Sequence, residues 1–386
     1  MSKTTGLIPR IKVVNAVDGQ LFCLCDDCGG ILSIHLNNFE AEYVGKLEGE
    51  DFFQIALSCG SAVYKNNILY SPYYSKNIHV FNWDKREDRI ITNFPAADEG
   101  SNKYAGLLQD GSRCYIVPYV GQNIWEIDMD KLQVVRKIDI YNILKKKGIA
   151  VDHNNFSESE VYRYGNKFYI SMENIPVIVE LDVRNDIYEA FELEGLSEGL
   201  CGIAGIDNIL YILSKENYII AYNIDEKKVL NKVKIRDGND SFFYITLISG
   251  NDIYFVQRGL SAAVRYNSAT CNAEYINFNE ELSNAPDGED YKFVGALDKN
   301  RILLISGLLN VAVLNLENKK CEYGQIKYNI DELKNAMVQD ADFQSINKEY
   351  SRLALPYYIQ HKKSTVVNQM DSRVGPQIYE TINFLV

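Results

Sequence analysis

Hydrophobic and polar residues alternate with a period of two along most of the chain. Asp207-Asn208 is followed by the apolar run Ile209-Leu210-Tyr211-Ile212-Leu213, then by a short polar stretch over 214–217. A second alternating run covers 218–224, an acidic turn stands at Asp225-Glu226, and a third run covers 229–235. Successive side chains of a strand point to opposite faces, so this phrase predicts three strands joined by tight turns.

The phrase recurs. The first turn reads Asp18-Gly19, Lys65-Asn66, Asp110-Gly111, Gly165-Asn166, Asp207-Asn208, Gly250-Asn251 and Asp298-Lys299, mostly residues that tolerate positive φ in hairpins. The second turn is led by Asn37, Asp84, Asp128, Asp182, Asp225, Asn267 and Glu317, an acid or amide each time. The central strand starts at Leu21, Leu69, Cys114, Phe168, Leu210, Ile253 and Ile302, at intervals of 42 to 54 residues. An eighth copy starts near Arg352, where Arg352-Leu353-Ala354-Leu355-Pro356-Tyr357 echoes Cys114-Tyr115-Ile116-Val117-Pro118-Tyr119.

One such unit cannot bury both of its faces. Several stacked radially can, and closing the ring protects the sheet edges. The sequence therefore predicts an all-β fold, a β-propeller of eight four-stranded blades forming a single domain over 1–386, with seven blades plus a C-terminal extension as the alternative. The eighth copy runs out of chain before its outermost strand, so residues before Ile11 are expected to supply it. Short helices are expected over 141–147 and 329–339, both in blade-to-blade connections.

Gly165-Asn166-Lys167-Phe168-Tyr169-Ile170, followed by Val177-Ile178-Val179-Glu180-Leu181-Asp182, resembles the repeat of quinoprotein-like and YVTN-type propellers. There a strand ending in Asp leads into a turn and an outer strand. The resemblance extends over most of the chain and implies the fold without a specific functional family. The chain has two tryptophans, Trp83 and Trp125, where quinone-dependent dehydrogenases carry a docking tryptophan in most blades. Trp83-Asp84 is a solitary Trp-Asp pair, and the double glycine Gly29-Gly30 does not recur.

The net charge of -12 argues against nucleic acid and anionic membrane surfaces as partners. No run approaches the length of a spanning helix, and the first ten residues lack the apolar segment of a secretory signal. The eight cysteines are then expected to be reduced and the protein cytoplasmic. Cys25 and Cys28, beside Cys23, have the spacing of a zinc knuckle or redox pair. No second pair exists, His35, His79, His153 and His361 are isolated, and a reactive pair belongs at a helix start rather than on a hairpin. The cysteines are read as inert thiols, with no metal and no cofactor.

In propellers the loop after the second strand and the blade-to-blade connection line one face of the channel. Aligning the copies places Asp26, Tyr74, Tyr119, Glu173, Lys215, Arg258, Gly307 and Tyr357 at that edge. Tyrosines offer a flat apolar face with a hydrogen-bonding tip, and an arginine forks carboxylate or phosphate. The expected function is a non-enzymatic scaffold binding a partner protein, peptide or polar ligand at this face. The alternative is a hydrolase or lyase acting on sugar or peptide, with Asp26 and Glu173 as paired carboxylates. Apart from that pair no catalytic residues are assigned. A deep mouth with convergent Asp26, Glu173, Lys215 and Arg258 would favour enzyme or small ligand, and a flat aromatic face a partner protein.

Overall fold

A computed structural model describes residues 11–25, 29–50, 57–91, 94, 103–149, 156, 161–235, 244–257, 262–282, 291–306 and 309–328. Among these residues seven sheets follow one another along the chain, each built around four consecutive antiparallel strands. These blades span 11–46, 58–91, 103–139, 162–192, 200–234, 244–277 and 292–325 and are numbered 1 to 7 in that order.

Burial follows position in the blade. The second strand is buried on both faces, as in Gln20–Cys25 and Ile209–Ser214. The fourth strand alternates exposed and half-buried residues, as in Gln133–Asp139. Strands covered on both sides read as continuous apolar runs, whereas one-sided strands alternate. The first strands of neighbouring blades lie against each other around the axis, so the fourth strands form the outer wall.

The core is divided into layers, and each layer belongs to two blades. Ile31 and Phe22 of blade 1 pack with Ile68 and Phe81 of blade 2, and Leu69 and Val80 of blade 2 with Ile116 and Ile127 of blade 3. The remaining layers join blades 3 and 4, 4 and 5, 5 and 6, and 6 and 7 in the same way. The last layer joins Leu303, Ile305 and Val311 of blade 7 to Leu21, Leu32 and Ile34 of blade 1. Each fully buried Leu or Ile contributes about 1.5–3 kcal/mol.

The second turn repeats as closely as the strands. The last residue of the third strand is Asn or Asp in six blades, and its side chain accepts the backbone N–H three residues on: Asn82 from Lys85, Asp128 from Lys131, Asp182 from Asn185, Asn223 from Glu226, Asn267 from Thr270 and Asn315 from Asn318. The turn then closes through one left-handed residue, Phe39, Arg86, Leu132, Asp186, Lys227, Cys271 or Lys319, with φ between 50° and 56°.

Blade 7 packs directly on blade 1, which corrects the expected count from eight to seven. A Cβ on Gly295 would meet the Cβ of Val14 at 3.6 Å, leaving no space for an intervening blade. Blade 1 draws all four of its strands from 11–46, and the segment after blade 7, Lys327–Tyr328, adds to it in parallel as a fifth strand beside Glu40–Lys46. Residues 1–10, the eighth copy with Tyr357, and the helix expected over 329–339 lie outside the described residues. The helix expected over 141–147 is found at Ile140–Lys146, capped by Asp139, which accepts the Asn142 N–H. A helical turn at Asn279–Leu282, between blades 6 and 7, was not expected. Among the described residues no helix is long and apolar enough to cross a membrane.

Phe39 of blade 1 rests on the backbone of Gly324 in blade 7, where an added Cβ would lie 2.3 Å from the ring. Gly324→Ala is expected to cost about 1–3 kcal/mol by overpacking this seat. Gly295→Ala, with ordinary contact to Val14, is expected to leave stability nearly unchanged. Thermal melts of both variants check the assignment, and a Gly324→Ala protein as stable as its parent would contradict it.

Candidate binding face

The turns within the first and second hairpins lie on one face of the wheel. The loop between second and third strands, and the blade-to-blade connection, lie on the other. On that second face the loop 73–77 of blade 2 leaves strand Asn67–Pro72 and enters Ile78–Asn82. The preceding connection holds it: the Leu57 carbonyl accepts from the N–H of Tyr73 at 2.9 Å and of Ser75 at 3.2 Å. Tyr73 meets Tyr74 edge-on at 5.1 Å between ring centroids and stacks on Tyr119 of blade 3 at 6.2 Å. Tyr74 is 41% exposed, unusual for a large side chain with one apolar face.

A buried charge cluster fixes this loop from below. His79 is 1% exposed, and both ring nitrogens face carboxylates: Nδ1 is 2.6 Å from Asp88 and Nε2 is 2.9 Å from Glu50. Asp88 opposes Phe81 in the ladder, so it sits diagonal to His79 across the strand pair. Glu50 comes from the connection between blades 1 and 2 and also accepts from Ser75 Oγ at 2.6 Å and Asn77 Nδ2 at 3.2 Å. Thus one carboxylate ties the histidine to the loop that carries the tyrosines. Burial alone would lower the His79 pKa, but hydrogen bonds and charge from Asp88 and Glu50 outweigh it and raise it to about 9. Burial pushes Glu50 upward, and the hydrogen bonds from His79, Ser75 and Asn77 with the charge of His79 bring it below its ordinary value.

Glu173 and Lys215 meet between blades 4 and 5, with Nζ to Oε1 at 3.2 Å, and both side chains are largely covered. The connection between these blades runs directly over Glu173: a Cβ on Gly199 would fall 1.7 Å from the Glu173 carbonyl oxygen, so only glycine fits. The flanking bonds, Leu200 N–H to Met172 and Lys215 N–H to Gly199, hold the crossing at 2.8 and 2.9 Å. Glu173 Oε2 is buried without a hydrogen-bond partner among the described residues. The Cys201 thiol nearby is pushed up to about 12 by burial first, with Glu173 adding and Lys215 opposing.

The four described residues of the expected rim thus fall in two groups on one face, Tyr74 with Tyr119, and Glu173 with Lys215. Asp26, Arg258, Gly307 and Tyr357 lie outside the described residues, and with Asp26 the expected carboxylate pair. Cys23 and Cys25 are buried, and Cys28 lies outside the described residues. His35 pairs with Gln20 at the far end of its strand from Cys25, which removes it as a partner for that cysteine. Among the described residues no group of three or more His, Cys, Asp or Glu is placed to hold a metal ion. Sequence reasoning missed Tyr73, Glu50, His79 and Asp88. The available signal was a histidine within an otherwise apolar third strand, a position that requires charged or polar partners.

No protein-family model matches the chain, and no curated protein sequence matches it. Solved structures do. A catalytically inactive virginiamycin B lyase from Staphylococcus aureus with quinupristin superposes with TM-score 0.57 at 12% identity, covering 79% of this chain and 94% of that one. The computationally designed Ika8 protein gives 0.55 at 10% identity over 84% and 91%, and BamB from Moraxella catarrhalis 0.50 at 11% identity over 82% and 85%. The lyase and BamB are β-propeller proteins. Likeness at these identities establishes a shared β-propeller fold alone.

The His79 shift has a pH signature. Its folded pKa lies above the unfolded value near 6.5, so its stabilisation is complete below that pH and is lost as pH rises through about 9. The loss is on the order of 3 kcal/mol. Urea melts from pH 6 to 9.5 are expected to show a falling stability that is much flatter in His79→Gln. Parallel slopes for parent and variant would contradict the cluster.

Proposed function

We propose that the chain is a non-enzymatic propeller scaffold that binds a partner protein or peptide on the face carrying Tyr73, Tyr74 and Tyr119. The observation that carries this reading is a tyrosine group, exposed at Tyr74 and half-buried at Tyr73 and Tyr119, on a rigid base. Tyrosine supplies large contact area at low entropy cost, and a loop tied down before binding loses little freedom on binding. The charged half of the expected rim supports the same choice. Glu173 and Lys215 neutralise each other under cover, so they do not present converging charges to a small substrate.

The test is selection of peptides from a displayed random library on the purified full chain, with binding of enriched peptides measured by calorimetry. Saturable peptides are expected, weakened about tenfold or more by Tyr74→Ser or Tyr119→Ser, as for truncation of an aromatic anchor. Tyr74→Ser is expected to leave thermal stability nearly unchanged because the ring is exposed. Failure to enrich any saturable peptide, or equal binding by both variants, would overturn the reading.

A further inference from the structure

Away from the tyrosine face, a cavity of about 310 Å³ opens between blades 6 and 7. That volume is at the lower end of small-ligand sites. Its walls come from the first hairpin of blade 6, the end of that blade's fourth strand with the helical turn after it, and the second turn of blade 7. Ile276, Phe278, Leu314 and Leu316 give it an apolar lining. Asp252, Glu281 and Glu317 give it acids.

The charges do not balance. Arg265 donates to Asp252 at 2.8 Å and to Glu274 at 2.7 Å, so one cation already serves two carboxylates. Glu317 accepts from neutral groups, Asn300 Nδ2 at 2.7 Å and Ser249 Oγ at 3.4 Å. The Glu281 side chain is 14% exposed, and its partner cation, Lys319, stands 4.0 Å away on a side chain that is 69% exposed. Glu281 Oε2 is buried with no hydrogen-bond partner among the described residues. A buried carboxylate oxygen without a donor is costly, so it marks a place where a donor belongs. The Tyr254 phenol registers the same field. Burial first, and then Asp252, Glu274 and Glu317, hold its pKa above the ordinary value, with Arg265 opposing them.

We infer that this cleft binds an alkylammonium group, with the ammonium on Glu281 and Glu317 and the aliphatic stem along Phe278, Leu314 and Leu316. The apolar lining covers the stem and the carboxylates supply the charge, a division that neither a carboxylate ligand nor a neutral hydrocarbon satisfies. Arg265 Nε also lines the cleft side and is buried without an acceptor among the described residues, which suits a carbonyl oxygen beside the stem. A lysine residue of a peptide and a free linear diamine share this chemistry. The site uses none of the residues of the tyrosine face, so the two readings stand or fall separately.

The test is calorimetric titration of the full chain with three probes: Nα-acetyl-lysine N-methylamide, 1,5-diaminopentane, and the uncharged isostere Nα-acetyl-norleucine N-methylamide. At least one amine is expected to bind saturably, with affinity falling as salt rises and dropping about tenfold or more in Glu281→Gln. The norleucine probe is expected not to bind. Preference for the lysine amide assigns the site to peptide, and preference for the diamine to a free amine. Leu316→Trp, which fills the lining without touching the charge, is a second variant expected to abolish binding. Absence of saturable binding by both amines, equal binding of norleucine, or indifference to Glu281→Gln and Leu316→Trp would overturn the proposal.

Discussion

Every blade has two apolar faces, and neither leaves water until a neighbouring blade covers it. Burial at the blade-to-blade layers is the interaction on which the rest of the molecule depends. Each layer draws residues from two blades, so removing one blade would expose two layers at once. The ring becomes self-sufficient only where Leu303, Ile305 and Val311 reach Leu21, Leu32 and Ile34. The short parallel strand Lys327–Tyr328 then covers the outer edge of blade 1 beside that junction.

The second turn adds orientation to this burial. A left-handed conformation costs a non-glycine residue about 1–2 kcal/mol, yet none of the seven positions is glycine. A side chain at that point reaches back to the preceding blade. Arg86 forks onto Glu42 at 2.6 and 2.9 Å, Lys227 takes Glu189 at 2.6 Å, Asp186 takes Arg136, and Phe39 sits on Gly324. The ion pairs are exposed and individually weak. Their value is positional, because each sets how one blade is turned against the next and so where the loops of the opposite face converge.

The strand-and-turn phrase was legible because its causes are local. Period-two burial marks the strands, and the acid or amide near the end of each third strand marks the turn that it caps. The blade count was not legible, because 352–357 carries the same apolar phrase as 114–119 and no local rule says which copy closes a ring. The left-handed residues were hidden by their types, since Phe, Arg, Leu, Lys and Cys carry no positive-φ signature. The alignment placed Tyr74, Tyr119, Glu173 and Lys215 on one face. Their grouping, and the link of His79 to Glu50, 29 positions away, depend on neighbouring blades and so on the closed ring.

Ring closure between blades 7 and 1 is therefore the claim to test, and a thiol trap across that junction tests it most directly. Val14 and the Cβ position of Gly295 lie 3.6 Å apart, within the 3.5–4.5 Å that a disulfide spans. In a Cys23→Ala background, which removes the native thiol opposite Val14, the doubly substituted Val14→Cys/Gly295→Cys protein should form a cross-link between positions 14 and 295 under mild oxidation, visible by peptide mapping, with neither single variant doing so. Two thiols that stay apart in the folded double variant would place further structure between blades 7 and 1 and contradict the seven-bladed ring.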